Sequence, residues 1–249
     1  MILKKTFKDL DFGYEEKYPI NEFFCSIQGE AFYTGTPSFF IRFQGCPVGC
    51  NFCDTKYTWD LNKSYETKNI DLIESKKNIP NIENFGTKLF KYFEIFELRS
   101  ICIKNKPNHI VFTGGEPCIY NLRAITKELN DFRPSNRFYR FSTQIETSGT
   151  FEINCDPNTW VTLSPKINKK YKVLESSYKR ANEIKYPIGK QKDINDLMEI
   201  LEKHKITNDI KIWLQPLSQN KKATQLCIEN AIKYNFKLSL QTHKYLNIR

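Results

Sequence analysis

Phe39-Phe40-Ile41-Arg42-Phe43-Gln44-Gly45-Cys46-Pro47-Val48-Gly49-Cys50-Asn51-Phe52-Cys53-Asp54-Thr55 reads as a short strand running directly into a loop that carries three thiols at i, i+4 and i+7. Thiolates are soft ligands suited to iron–sulfur clusters or zinc, and Gly45 and Gly49 permit the tight turns that aim three sulfurs inward. Three ligands leave one coordination position open. A structural zinc site would need a fourth partner, and neither a second C-x-x-C pair nor a His pair accompanies the loop, because His109, His204 and His243 are scattered. The remaining cysteines, Cys25, Cys102, Cys118, Cys155 and Cys227, stand alone and read as small apolar core residues. In the strand, alternation sets Phe39, Ile41 and Phe43 on one face and Phe40 with Arg42 on the other. An arginine facing an interior needs an anion, either a structural carboxylate or a bound one.

Outward from this stretch, further short β-rich segments lie at His109 to Thr113, Thr143 to Glu146, Trp160 to Ser164, Glu183 to Tyr186, Ile210 to Gln215 and Lys237 to Gln241. Ile194, Leu197, Met198 and Leu201 recur at helical spacing behind Asp193 as the expected N-cap, and Ala223, Leu226, Cys227 and Ala231 repeat the pattern. Strands separated by helices predict an α/β fold with about six parallel strands, joined by right-handed crossovers into a partial or modified (β/α) barrel. Active sites of such folds sit at strand C-termini. The expected organisation is one domain over residues 18–249 after an N-terminal extension, 1–17. A surface insertion is expected at about 62–107, with a helix through Leu89, Phe90, Tyr92, Phe93 and Phe96.

The composition fits a globular chain of 249 residues with 40% apolar and 14% aromatic content. The start has charges every few residues and no apolar run, so it does not read as a secretory signal, and no stretch of eighteen apolar residues occurs. A cytoplasmic location is the expectation, with no membrane partner. The excess of Lys and Arg over Asp and Glu, 38 − 28 = 10, is spread in short runs that suit solvated faces, so direct nucleic-acid binding is not expected.

Two more elements end strands with unusual chemistry. Thr113-Gly114-Gly115-Glu116-Pro117 pairs two glycines with a carboxylate, while Glu146-Thr147-Ser148-Gly149-Thr150 and Ser164-Pro165-Lys166 present hydroxyls and an ammonium. With the cysteine loop and the aromatic before its last thiol, these segments resemble the radical S-adenosylmethionine superfamily. That resemblance implies one [4Fe-4S] cluster on Cys46, Cys50 and Cys53, with the open iron binding S-adenosylmethionine, which electron transfer cleaves to a 5′-deoxyadenosyl radical. The contacts it implies for S-adenosylmethionine are Phe52, Cys53, Asp54, Gly115, Glu116, Ser148, Ser164, Pro165, Lys166 and Gln215.

A narrower resemblance rests on Tyr18-Pro19-Ile20-Asn21-Glu22, Ser26-Ile27-Gln28-Gly29-Glu30, Gly35 to Arg42, Cys53-Asp54-Thr55-Lys56-Tyr57-Thr58-Trp59, Gln144 to Thr150, Ala181 to Lys185 and Gln241 to Ile248. This set is similar to the 7-carboxy-7-deazaguanine synthase family. The resemblance implies a Mg²⁺-dependent lyase that contracts 6-carboxy-5,6,7,8-tetrahydropterin to 7-carboxy-7-deazaguanine with loss of ammonia, in queuosine biosynthesis. Implied substrate contacts are Ile27, Gln28, Gly29, Arg42, Thr113, His243 and Arg249, and Thr55 is the implied Mg²⁺ ligand. A homodimer and a flavodoxin- or ferredoxin-like electron donor are the implied partners, and no general base is identified. Ala31 stands where many members carry a second glycine. The nearest rival is an activase that installs a glycyl radical on a partner protein, against which the Tyr18 to Arg42 pattern argues.

Overall fold

The computed structural model describes residues 17–70, 86–133, 141–166, 171–207 and 209–248. The chain divides into two compact units. The first comprises the described residues within Met1–Cys25, Ser38–Ile145 and Ile153–Thr159, and the second is Ser26–Pro37, Glu146–Glu152 and the described part of Trp160–Arg249.

The first unit is built on β1 (Lys17–Ile27), β2 (Pro37–Phe43), β3 (Lys91–Glu94), β4 (His109–Gly114) and β5 (Ser142–Thr147), in the order β3-β1-β2-β4-β5. β3 runs antiparallel to β1, while β2 with β4 and β4 with β5 are parallel. The run His109-Ile110-Val111-Phe112 is buried throughout, as suits a central parallel strand covered on both faces. Helices α1 (Ile95–Asn105) and α2 (Arg123–Asp131) pack on one another. The core is aromatic: Tyr18, Phe23, Phe39, Phe43, Phe90, Phe93 and Phe112 are all within 2% of full burial. Each such side chain contributes about 1.5–3 kcal/mol through removal from water.

On β2 the expected alternation holds, with Phe39, Ile41 and Phe43 fully buried and Phe40 and Arg42 half-buried. The helix expected through Leu89 to Phe96 does not form over its first half. Lys91–Glu94 is the edge strand β3, and α1 starts only at Ile95. Phe90 and Phe93 are the buried members of that stretch, and register with β1 decides against helix. Cys25 is exposed rather than a core residue, whereas Cys102, Cys118 and Cys227 are buried and Cys155 is half-buried.

The second unit carries β6 (Trp160–Leu163), β7 (Glu183–Ile188), β8 (Lys211–Pro216) and β9 (Lys237–Leu238), neighbours in that order and all parallel. Its helices are α3 (Glu175–Arg180), α4 (Gln191–Lys203), α5 (Lys221–Tyr234) and α6 (Thr242–Leu246). Leu163, Ile184, Ile188, Ile194, Leu197, Leu214 and Cys227 form its core. In neither unit does the run of strands close on itself. Among the described residues no helix is long and apolar enough to cross a membrane.

Asp193 starts α4 in a different role from the one its position implied. The N-cap is Lys190, and Asp193 is the third helical residue, reaching back to accept from the N–H groups of Gly189 at 2.7 Å and Lys190 at 3.0 Å. A carboxylate there satisfies orphan donors and complements the helix dipole. Asp193→Ala is expected to lower unfolding stability by about 1 kcal/mol in urea titrations.

Candidate active site

In the first unit, β2 and β4 pair with Arg42 opposite Thr113 and Phe43 opposite Gly114, so the cysteine loop and the Gly-Gly-Glu-Pro turn leave the sheet level with one another. The two segments are locked by backbone: Gly115 N–H donates to Phe43 O and Glu116 N–H to Gly45 O, each at 2.9 Å. A side chain at Gly115 has no room, because a Cβ would sit 2.1 Å from Gly45 O. Gly45 and Gly114 hold φ values of 101° and 116°, which L-residues rarely adopt. Glu116 is buried, and its carboxylate accepts from Cys118 N–H at 3.1 Å, capping the turn Pro117–Ile119.

Cys46, Cys50 and Cys53 are each half-buried on this loop. Burial, with the Glu116 carboxylate nearby, pushes the Cys46 thiol up to about 12. Cys53 Sγ accepts from Thr55 N–H and from the Trp59 indole N–H, both at 3.4 Å. Among the described residues, no group of three or more His, Cys, Asp and Glu is arranged around a single ion. A four-iron cluster makes a different demand, since it takes three thiolates at separate corners. Three thiols on one glycine-turned loop, with N–H donors aimed at a sulfur, fit that demand. Thr55 Oγ1 lies 3.3 Å from Gly114 O and 3.6 Å from Cys53 Sγ, while Phe52 and Asp54 are exposed.

Arg42 meets its anion in Glu22, a residue the sequence reading gave no role: Nε donates to Oε1 at 2.6 Å, and the carboxylate is 1% exposed. Tyr57 hydroxyl donates to the same oxygen at 3.2 Å, and the guanidinium lies 5.5 Å from the Phe24 ring centre. Bonding through Nε leaves both Nη groups uncommitted to Glu22.

In the second unit, Gln28, Gly29 and Glu30 are tied to residues far along the chain. The Lys185 ammonium, 5% exposed, pairs with Glu30 Oε2 and, at 2.5 Å, with Glu146 Oε2. Each carboxylate uses its other oxygen to hold an amide: Gln28 Nε2 donates to Glu146 Oε1 at 3.2 Å, and Gln241 Nε2 to Glu30 Oε1 at 2.8 Å. Burial raises the Glu30 carboxyl, but the Lys185 charge, the hydrogen bonds from Lys185 and Gln241 and the nearby His243 together outweigh it and hold the group well below the usual carboxylate range. Gly29 packs on His243, whose Nδ1 lies 2.4 Å from where a Cβ would stand, and Thr242 N–H donates to Gly29 O at 3.0 Å. Ala31 adopts φ 55°, the conformation that favours glycine, and its methyl is buried while its N–H donates to Ser239 Oγ.

Of the other expected contacts in this unit, Ser164 and Lys166 meet, with Nζ donating to Oγ at 2.7 Å, and Pro165 between them is buried. Ser148 Oγ lies 3.0 Å from Thr150 Oγ1, Gln215 Oε1 accepts from Ser239 Oγ at 2.9 Å, and Ile27 is half-buried at the end of β1. Arg249 lies outside the described residues. Lys185, Glu30 and Gln241 were missed as a network. The available signal was three polar residues within segments otherwise quoted for their resemblance.

A cysteine loop after the first parallel strand, backed by a Gly-Gly-Glu-Pro turn, defines an α/β protein of the radical S-adenosylmethionine partial-barrel type. The particular family follows from comparison. No protein-family model matches the chain. The 7-carboxy-7-deazaguanine synthase of Buchnera aphidicola subsp. Schizaphis graminum is 50% identical over 235 residues, 93% of this chain and 99% of the relative. The Escherichia coli K12 enzyme of that name is 45% identical over 236 residues, with the same coverage. The crystal structure of QueE from Escherichia coli superposes with a TM-score of 0.79 at 43% identity, covering 90% of this chain and 93% of that one. The chain belongs to the 7-carboxy-7-deazaguanine synthase family, and it is an enzyme with an α/β partial-barrel fold whose sheet is not closed.

Two substitutions test this geometry. Gly115→Ala is expected to cost about 1–3 kcal/mol in chemical denaturation, since its methyl meets backbone rather than a flexible side chain. Lys185→Met strands two mostly buried carboxylates and is expected to cost about 3 kcal/mol at pH 7. Glu30 has a depressed folded value, so its contribution is present above the unfolded carboxylate value and is lost as pH falls through the folded one. The stability gap between wild type and Lys185→Met should therefore narrow as pH is lowered from 4.5 towards about 2.

Proposed function

We propose that the chain catalyses the radical ring contraction of 6-carboxy-5,6,7,8-tetrahydropterin to 7-carboxy-7-deazaguanine with release of ammonia, using a [4Fe-4S] cluster, S-adenosylmethionine and Mg²⁺. The observation that carries the reading is 50% identity to a named synthase over 93% of the chain, with the three thiols intact. When bound, the cluster and S-adenosylmethionine supply one-electron chemistry that initiates hydrogen abstraction.

The chain's own residues then bind and orient. Cys46, Cys50 and Cys53 would hold the cluster, and Glu116 and Gly115 would meet the methionyl amino group. Ser148, the Ser164–Lys166 pair and Gln215 would hold the rest of S-adenosylmethionine. Arg42 has Nη groups left over from its bond to Glu22, which suit the substrate carboxylate. Thr113 is its neighbour across the β2–β4 pair. The Gln28 amide is fixed through Nε2 by Glu146, and its Oε1 accepts from Glu30 N–H at 3.2 Å, so its orientation is set before a ligand arrives. Such preorganisation lets an amide read the hydrogen-bonding edge of a pterin. Thr55 offers the hard oxygen that Mg²⁺ prefers, with waters and substrate completing its shell.

Anaerobic reconstitution with iron and sulfide, followed by reductant, S-adenosylmethionine, Mg²⁺ and the tetrahydropterin, should yield 7-carboxy-7-deazaguanine by mass spectrometry. Cys50→Ala should lose the iron–sulfur absorbance and all turnover. Formation of deoxyadenosine without deazapurine would overturn the substrate reading, and uptake of zinc without iron would overturn the cluster.

A further inference from the structure

Trp59 is not among the residues assigned above, yet its side chain points at a thiol of the cysteine loop. The indole N–H donates to Cys53 Sγ at 3.4 Å. Its place is fixed by the loop's own backbone: Gly45 N–H donates to Thr58 O at 2.7 Å, and Cys46 N–H to Trp59 O at 3.1 Å. Residues Lys56–Thr58 form one 3-10 turn, and Trp59 N–H closes it on Lys56 O at 3.2 Å. The loop thus returns upon its own start, which carries the indole back under the third cysteine. The ring is half-buried, and the Lys56 ammonium lies 6.0 Å from its centre.

We propose that Trp59 is a positioning and tuning residue for the reading above, which it presupposes: its N–H donates to the Cys53 thiolate and raises the reduction potential of the bound cluster. Hydrogen bonds to ligating sulfurs are among the levers that set such potentials. A donor withdraws electron density from the sulfur, and the withdrawal favours the more negative, reduced state. Thr55 N–H supplies a second donor to the same sulfur, but it is backbone and persists in any variant. The Thr55 hydroxyl, 3.6 Å from that sulfur, also remains when Trp59 is replaced, so the indole N–H is the one donor the substitution removes.

Trp59→Phe keeps an aromatic ring and deletes the N–H, along with part of the indole's bulk. Reconstituted under the same conditions, it should take up as much iron and sulfide as wild type, while its cluster titrates at a more negative potential in an EPR-monitored redox titration. Uptake equal to wild type with an unshifted potential would overturn the proposal, and would show that the ring serves only packing. Should Trp59→Phe fail to fold, otherwise native protein labelled with ¹⁵N-indole tryptophan gives a direct reading. Pulsed EPR of the reduced cluster should show coupling to the ¹⁵N and to a proton that exchanges in D₂O, and absence of both would overturn the assignment. Wild-type protein that takes up no iron–sulfur cluster would instead overturn the cluster reading, and this inference with it.

Discussion

A charge taken out of water has to be met where it lies, and each unit of this protein is organised around one such meeting. In the first unit Arg42 on β2 is answered by Glu22 on β1. In the second, Lys185 on β7 is answered by Glu30 and Glu146. Desolvating these ions is costly, and the return comes only if geometry is good and the leftover lone pairs are filled. Both conditions are visible. Tyr57 shares the Glu22 carboxylate, and Gln28 and Gln241 occupy the remaining oxygens beside Lys185. Neither arrangement is the cheapest way to fill a core, since apolar residues of similar volume would serve stability as well. What the ions add is direction, because a guanidinium or an amide fixed at one end presents its other end to one place.

The glycines act by the opposite means. Gly114 and Gly115 let two backbone segments touch where any side chain would hold them apart, so the Gly-Gly-Glu-Pro turn and the thiol loop form one rigid surface. Ala31 shows how such a position tolerates change. It keeps the left-handed backbone of a glycine, at a strain of about 1–2 kcal/mol, and its buried methyl offsets part of that cost.

Much of the fold was legible because parallel strands announce themselves as apolar runs closed by turn residues. β2, β4, β5, β6, β7 and β8 fall within a few residues of where the sequence puts them. β1 was missed as a strand because Pro19, Asn21 and Glu22 interrupt its apolar pattern. Asn21 is nevertheless buried, bonded to Gln44 Oε1 and to the carbonyls of Thr87 and Leu89, a satisfaction no local window can foresee. β3 was misread for a similar reason, since Lys91-Tyr92-Phe93-Glu94 is compatible with either period and only pairing with β1 decides. The grouping of the three thiols was readable from spacing, whereas the glycine turn took its meaning only from the resemblance. The partners of Arg42 and Lys185 were not, because ion pairs across 20 and 155 positions leave no local signature.

The second unit has an unusual relation to the order in which a ribosome makes it. Its segment Ser26–Pro37 is held by Ser239, Gln241 and Thr242, contacts that span 208, 211 and 213 positions. Closing loops that long is entropically slow, and until Lys185 has emerged Glu30 has no cation to face. A nascent chain therefore carries its Gln28-Gly29-Glu30 segment without these C-terminal partners through most of translation. The thiol loop's backbone partners all precede Pro117 in the chain, so the loop can take its shape early in synthesis and the Gln28–Glu30 scaffold only late.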